Sequence, residues 1–417
     1  MDTHPKDARR LVLCFDGTGN KFHGTESDTN VVKLYEMLDR SDKSQMVYYQ
    51  PGIGTFSPDY HGGALGFFGR LVADIEQTVD QAVGVSFGYH VRKGYEFLME
   101  HYTPGDYIYI FGFSRGSYTA RFLAEMIDNV GLLSSGNYEL VRFAYATFSE
   151  VKRAKGKAKL SKKDKERQVY MERFKSAFCR SDVQTYCLGL FDSVNSVGSF
   201  EIPFWRQSYT YIGTPPAKHI RHAVSIHERR LKFKPALFRY DGGVEEDRDL
   251  KEVWFCGNHG DVGGGYGGNG TKHLLSDTPL AWMIDEVLAI DDVPEAKLRL
   301  QKTTVQERGH LKAGHENTAG CRNAGHLSLQ PPHDTLAFGR GSSWPMTMFW
   351  WVFEVLPFFN RLELKSGRWL NTYWPPNMGS WRDLPSDAVL HSSVKEMYEA
   401  GMISEMPTLG GTQPSVL

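Results

Sequence analysis

Five apolar runs recur along the chain, and between most of them the hydrophobic positions open out to every third or fourth residue. Leu11-Val12-Leu13-Cys14-Phe15 shows no alternation, the pattern of a strand buried on both faces. Asp16-Gly17-Thr18-Gly19-Asn20 turns the chain, Asn30 caps a helix carrying Val31, Leu34, Tyr35 and Leu38, and Met46-Val47-Tyr48-Tyr49 supplies a second strand, which makes a β-α-β unit. Residues 51–69 are a glycine-rich loop. A helix with Val83, Phe87, Val91, Tyr95 and Leu98 on one face follows, and then a third strand, Tyr107-Ile108-Tyr109-Ile110-Phe111. The alternation resumes with a fourth strand ending at Leu188-Gly189-Leu190-Phe191 and a fifth, Glu252-Val253-Trp254-Phe255-Cys256-Gly257. Strands alternating with helices in this way predict an α/β fold, α/β-hydrolase-like, with a mostly parallel, doubly wound sheet.

Two stretches break the rhythm. Residues 132–183 open on an aromatic helix (Tyr138, Phe143, Tyr145, Phe148) and turn strongly basic from Lys152 to Arg167, as a cap or lid inserted into a single domain would. Its ordinary use is a solvated helical excursion; an anionic-surface contact is the functional one. Residues 309–385 are irregular, with His310, His315, His326 and His333 among Gly, Asn and Pro. That loose spacing matches no zinc signature, so neither a metal nor a cofactor is expected.

With 417 residues, 41% of them hydrophobic, the chain can bury a large core, and its formal net charge of −1 gives no bulk attraction to nucleic acid. Five cysteines, scattered and without a C-x-x-C pair, read as core hydrophobes in a reducing compartment. The first seven residues have no apolar signal core, so a cytoplasmic location is expected. The apolar stretch from Pro345 to Phe359 is interrupted by Glu354 and Pro357, short of the roughly 20 residues that span a bilayer. A peripheral membrane contact stays open for it.

In open α/β sheets the ligand crevice lies beyond the carboxyl ends of the strands. After the third strand stands Gly112-Phe113-Ser114-Arg115-Gly116, in which two glycines flank a serine at a strand-to-helix turn, as a nucleophile elbow requires. A serine nucleophile needs a histidine to take its proton and a carboxylate to orient that histidine. Asp261, after the fifth strand, fits the acid position, and Asp192, after the fourth, is the alternative. In the chain order Ser, acid, His, His391 is the best-placed base, His333 the runner-up, and His259 a supporting donor beside Asp261. For the oxyanion, backbone N–H groups are expected from Arg115 and from the loop at Gly17 and Thr18. Asp16, too close to that charge, is expected to turn away and organise the loop.

LCFDGTGN, PGIGT, FGFSRGSYTAR, GLFDSV and EVWFCGNHGDVGGGY, in that order, resemble a large microbial and fungal family once known only as a domain of unknown function. It is now grouped with the catalytic domain of type VI secretion phospholipase effectors. The resemblance runs from about Leu11 to about Val394, and the tryptophan-rich tail is similar to fungal stand-alone relatives. It implies an α/β-hydrolase-like fold, a serine nucleophile at Ser114, acid and base positions at Asp261 and His391, and the DGT turn near the oxyanion. His227 and Ser117 depart from the family pattern, where an acidic and a small residue are usual.

The expectation is therefore a serine hydrolase of an acyl or lipid ester, working through an acyl-enzyme on Ser114. Phe349 to Phe353 would form an acyl-binding wall, or else core. Two other classes stay open, a metal-dependent phosphate-ester enzyme using DGTGN and Asp192, and a non-catalytic binding module.

Overall fold

The computed structural model describes residues 8–52, 70–155, 160–180, 182–194, 217–238, 248–267, 273–301, 328–356, 361–365, 368–372, 374–409 and 415–416. Most of the glycine-rich loop, together with His310, His315, His326 and Cys321, lies outside them.

Eight strands form one sheet: β1 (Arg10–Phe15), β2 (Gln45–Gln50), β3 (Tyr107–Phe113), β6 (Thr185–Phe191), β7 (His219–Ser225), β8 (Asp249–Phe255), β11 (Val389–Leu390) and β12 (Ser415–Val416), while β9 (Arg361–Lys365) and β10 (Arg368–Thr372) pair with each other as a separate antiparallel ribbon. Across the sheet they stand β12-β11-β8-β7-β6-β3-β1-β2, and every pairing is parallel. From β1 the chain steps out to β2, returns to β3 on the other side and then proceeds in one direction. The strand order thus reverses between β1 and β3, where a doubly wound sheet opens its crevice.

Strand residues alternate between two cores. Leu11, Leu13, Phe15, Ile108, Ile110, Leu188 and Leu190 meet α2 (Arg70–His101) and α3 (Arg115–Val130) on one face. Val12, Cys14, Tyr109, Phe111 and Cys187 meet α1 (Asn30–Met37) and α7 (Asp277–Leu288) on the other. Helices on both faces explain strands that are apolar on both faces.

One central strand escapes hydropathy. In β7, His219, Arg221 and His222 are all buried, because each has a carboxylate on the neighbouring strand. His219 Nδ1 is 2.6 Å from Asp249, Arg221 forks onto Asp249, and His222 Nδ1 is 2.8 Å from Glu252.

The basic insertion is rooted where α3 ends. β4 (Leu132–Leu133) pairs antiparallel with β5 (Cys179–Arg180), closing a helical hairpin of α4 (Tyr138–Lys155) and α5 (Lys162–Phe178). Val141, Ala144, Phe148, Met171 and Phe174 pack it on the α2–α3 core. Lys152, within the basic run, is buried as an ion pair with Glu125. The root is a full helix from Ser114, roughly 24 Å at 1.5 Å per residue.

Candidate active site

Ser114 sits between β3 and α3 at φ 57°, ψ −124°, a conformation that costs a non-glycine residue on the order of 1–3 kcal/mol. Its N–H donates to Phe191 O at 3.1 Å, tying the elbow to the end of β6, and its hydroxyl does not cap α3. A Cβ on Gly116 would overlap the carbonyl oxygens of Phe15 and Asp16, so that glycine lets the loop after β1 lie against the elbow.

Asp16 does organise that loop. Its Oδ1 accepts from Gly17 N at 2.7 Å and Thr29 Oγ1 at 2.9 Å, and its Oδ2 from Tyr49 OH at 2.8 Å. Burial pushes its carboxyl up to about 6 against those three bonds. The Gly17 N–H is consequently directed at Asp16 rather than at an oxyanion. Thr18 Oγ1, one residue on, is buried without a hydrogen-bond partner.

Asp192 follows β6 and is completely buried. Its N–H donates to Ala223 O at 2.7 Å and its Oδ1 accepts from Ser225 N at 2.8 Å. His259 Nδ1 lies 2.6 Å from Asp192 Oδ2, and Arg382 forks onto both oxygens at 2.7 and 3.0 Å. Burial alone would raise this carboxyl, but Arg382 and His259 together hold it well below the usual range.

His259 opens the short helix α6 (His259–Gly263), which Asn258 caps by accepting from Gly260 N and Asp261 N. Its ring lies 4.7 Å from that of Phe113, the residue before Ser114, and 4.8 Å from that of Phe233. A Cβ on Gly263 would overlap the Phe113 ring, so the glycines after Asp261 allow α6 to press onto the elbow. Burial lowers the proton affinity of His259, against the pull of Asp192. With Nδ1 turned to the acid, Nε2 is the ring nitrogen that Asp192 does not engage.

Asp261, also on α6, is committed to another histidine. Its Oδ1 is 2.6 Å from His333 Nδ1, and its Oδ2 accepts from Asn258 N at 2.9 Å and His333 N at 3.0 Å. His333 stacks on Tyr266 with ring centroids 4.0 Å apart. The bond to Asp261 raises its proton affinity, opposed by burial.

The expected pairing of Asp261 with His391 is not the one the structure makes. His391 follows β11, Nδ1 lies 2.9 Å from Ser393 Oγ, and its ring stacks on Phe255 at 4.7 Å. β11 stands four strands from β3, about 19 Å at a spacing near 4.8 Å. Chain order singled it out, but sheet order keeps it toward the far side of the sheet, next to the edge strand β12. His259, expected as a helper, is the histidine that α6 folds back over the strand ends. Arg382 was not anticipated, since an arginine in a loop gives no local signal.

Among the described residues no group of three or more His, Cys, Asp or Glu is arranged to hold a metal ion.

A parallel doubly wound sheet with a strained serine at a strand-to-helix turn, and a His–Asp pair drawn from later strand ends, defines an α/β-hydrolase-like protein. Residues 9–286 match the family model described as "T6SS, Phospholipase effector Tle1-like, catalytic domain", and the chain belongs to that family. That description is of phospholipase type, which at the coarse level means hydrolysis of lipid esters. Ser114, Asp192, His259 and Asp261 fall within the matched residues; His333, Arg382 and His391 fall beyond them.

The chain is 27% identical to Uncharacterized protein YEL023C of Saccharomyces cerevisiae, over 94% of this chain and 79% of that protein. Among solved structures it is similar to an uncharacterized protein from Pseudomonas aeruginosa (21% identity, TM-score 0.37, 72% of this chain and 47% of that one). It is also similar to the Tle1 effector bound to the VgrG spike of the type 6 secretion system (18%, TM-score 0.33, 63% and 53%). The chain spans about half the length of each of these two structures.

Proposed function

We propose that the protein hydrolyses the acyl ester of a lipid through an acyl-enzyme on Ser114, with His259 as the base and Asp192 as the acid that orients it. The observation that carries this reading is the 2.6 Å Asp192–His259 pair, whose imidazole lies against Phe113 beside Ser114. His259 Nε2 takes the hydroxyl proton as Ser114 Oγ adds to the ester carbonyl, and the developing imidazolium is held by Asp192. The alkoxide is met by the Arg115 N–H at the start of α3, aided by its dipole, and by Thr18 in place of Gly17. Collapse expels the alcohol, which takes the proton from His259. Water, deprotonated by the same imidazole, then releases the fatty acid and restores Ser114. Fluorophosphonate labelling, with peptide mapping, should modify Ser114 in the wild-type protein and nothing in a folded Ser114→Ala variant, which should lose at least about 10³-fold in ester turnover. Retained turnover in that variant sinks the mechanism; loss with a chelator redirects it to a metal.

A second base pair has its own observation: Ser114, Asp261 and His333 follow the usual chain order, and Asp261 and His333 are bonded. No described contact joins either residue to the elbow, so Asp192–His259 is favoured.

The lipid surface we assign to α8 (Trp344–Val355), a helix whose single charge, Glu354, is turned inward onto Leu231 N and Gly379 N. Trp350 packs 5.4 Å from Phe233, which touches His259. The opposite face carries Trp344 (67% exposed), Met348 (62%), Phe349, Val352 and Val355 to solvent. An exposed apolar stripe bearing tryptophan suits a bilayer interface. Among the described residues no helix is long and apolar enough to cross one. Met348→Asp should lower hydrolysis of vesicle lipid about tenfold and leave a soluble ester unchanged; equal losses on both would remove α8 from this role.

A further inference from the structure

Asp192 makes a connection that an acid serving only one histidine does not need. Arg382 reaches it from the loop ahead of β11, beyond the residues that match the family model. The arginine side chain is completely buried. Its Nη1 donates to Asp192 Oδ1 at 2.7 Å, Ser225 O at 2.9 Å and Ser225 Oγ at 2.7 Å. Its Nη2 donates to Asp192 Oδ2 at 3.0 Å and to Phe233 O. The Phe233 ring in turn packs on His259. One guanidinium therefore touches the acid, the strand end beside it and the segment that walls the imidazole.

We propose that Arg382 is a positioning residue for the reaction, fixing the Asp192 carboxylate so that Oδ2 faces His259 Nδ1. This rests on the Ser114–His259–Asp192 reading. The planar fork is what makes it specific. Two parallel N–H bonds set the plane of a carboxylate as well as its place, which a point charge does not. Asp192 also sits at a positive φ of 38°, a conformation that costs on the order of 1–3 kcal/mol and persists where the surroundings over-determine it.

The fork also fixes charge. Burial is the main cause that keeps His259 deprotonated to lower pH, and Arg382 adds to it by neutralising part of the anion that would otherwise stabilise an imidazolium. The groups facing His259 are Asp192 and, through its backbone N–H, Glu228, with Arg230 bound to Glu228 and lying over the Phe233 ring. Phe113 and Phe233 supply the apolar walls. Removing the Arg382 charge leaves Asp192 a stronger partner for the protonated ring. The acid limb of the rate profile should then move to higher pH.

The test is Arg382→Gln and Arg382→Lys in the full chain, assayed on a soluble uncharged ester for kcat, KM and pH profile, with Tm recorded and Ser114→Ala alongside. For Arg382→Gln the expected result is a fall in kcat of about 100-fold with KM within about twofold, and an acid limb displaced upward. Arg382→Lys should keep the limb near its wild-type position, because the charge remains, and should recover about tenfold of the loss. If the glutamine protein does not fold, the lysine variant decides alone: a lowered kcat at near-wild-type KM and Tm supports positioning. Wild-type kcat and profile in the folded variants overturn it, as does a loss that only tracks the folded fraction. A dead Ser114→Ala with normal Arg382 variants would refute this inference and leave the reaction standing; an active Ser114→Ala would refute the reaction itself.

Discussion

Two His–Asp pairs grow from α6, one using its histidine and the other its aspartate, and both place Nδ1 2.6 Å from a carboxylate oxygen. The proton affinity of His259 is nevertheless pushed down and that of His333 up. Distance is the same, so the surroundings decide. His259 lies buried between Phe113 and Phe233, and its acid already faces Arg382. His333 keeps 27% of its side chain exposed, and its acid's other bonds come from backbone N–H groups. A buried, neutral imidazole is what a general base must be before it takes a proton; a partly exposed one inclined to hold its proton suits a stabilising ion pair. A short bond to a carboxylate is thus not by itself a mark of catalysis.

The sharpest way to break this contrast is to remove each ring in turn. His259→Gln should lower kcat/KM on a soluble ester by about 10³- to 10⁴-fold, and His333→Gln by less than about tenfold. Fluorophosphonate labelling rates should follow the same order. A reversal of the two variants would hand the reaction to Asp261–His333 and make Asp192–His259 a structural pair.

Replacing the acids separates the pairs a second way. Asp192→Asn should lose about 10³-fold or more in turnover, since the amide favours the wrong tautomer of His259. It should also cost about 3–5 kcal/mol of stability by leaving Arg382 buried without its counter-charge. Asp261→Asn weakens the α6 cap and the His333 bond, with an expected cost of about 1–2 kcal/mol in a urea titration and turnover within a few-fold of wild type. Comparable turnover losses in the two would dissolve the distinction.

What the sequence made legible follows from how local each signal is. The elbow, the strand before it and the helix after it lie within about 25 consecutive residues, and the pattern alone places Ser114 at a strand tip. The same holds for Asp192 at the end of its strand, and for Asp16, read as organising the loop after β1 through its own hydrogen bonds. β7 was hidden because its burial rests on cross-strand carboxylates at Asp249 and Glu252, and hydropathy counts His219, Arg221 and His222 as polar. The partner of each histidine was hidden for a related reason. Chain order ranks His391 and His333 after the acids, whereas sheet order leaves His391 beside Phe255 and the Gly263–Phe113 contact brings His259 inward. Phe349 to Phe353 was open between acyl wall and core; Phe353 is buried in the core and Phe349 faces solvent.

The smallest expected effect reads the two pairs through stability. Well above the ordinary histidine value of 6.5, His259 carries no proton in either the folded or the unfolded chain. As pH falls below the ordinary histidine value of 6.5, the unfolded chain binds a proton that folded His259 resists, so stability drops with acid. His90, His227 and His391, each pushed down to about 4 by burial, act in the same direction between 6.5 and 4. His333 runs the other way. Its raised affinity contributes stability that is complete below 6.5 and is lost as pH rises through the raised value. Through these histidines the wild-type protein should unfold at lower urea at pH 5 than at pH 7.5, opposed in part by Asp16 and Asp285, whose carboxyls burial pushes up to about 6 and about 7, and His333→Gln should steepen that decline, because it removes the one opposing histidine among these five. His259→Gln should flatten it. If both variants shift the urea midpoint equally at the two pH values, the opposite titration of the pairs is wrong, and with it the argument that the surroundings, not the carboxylate contact, divide base from brace.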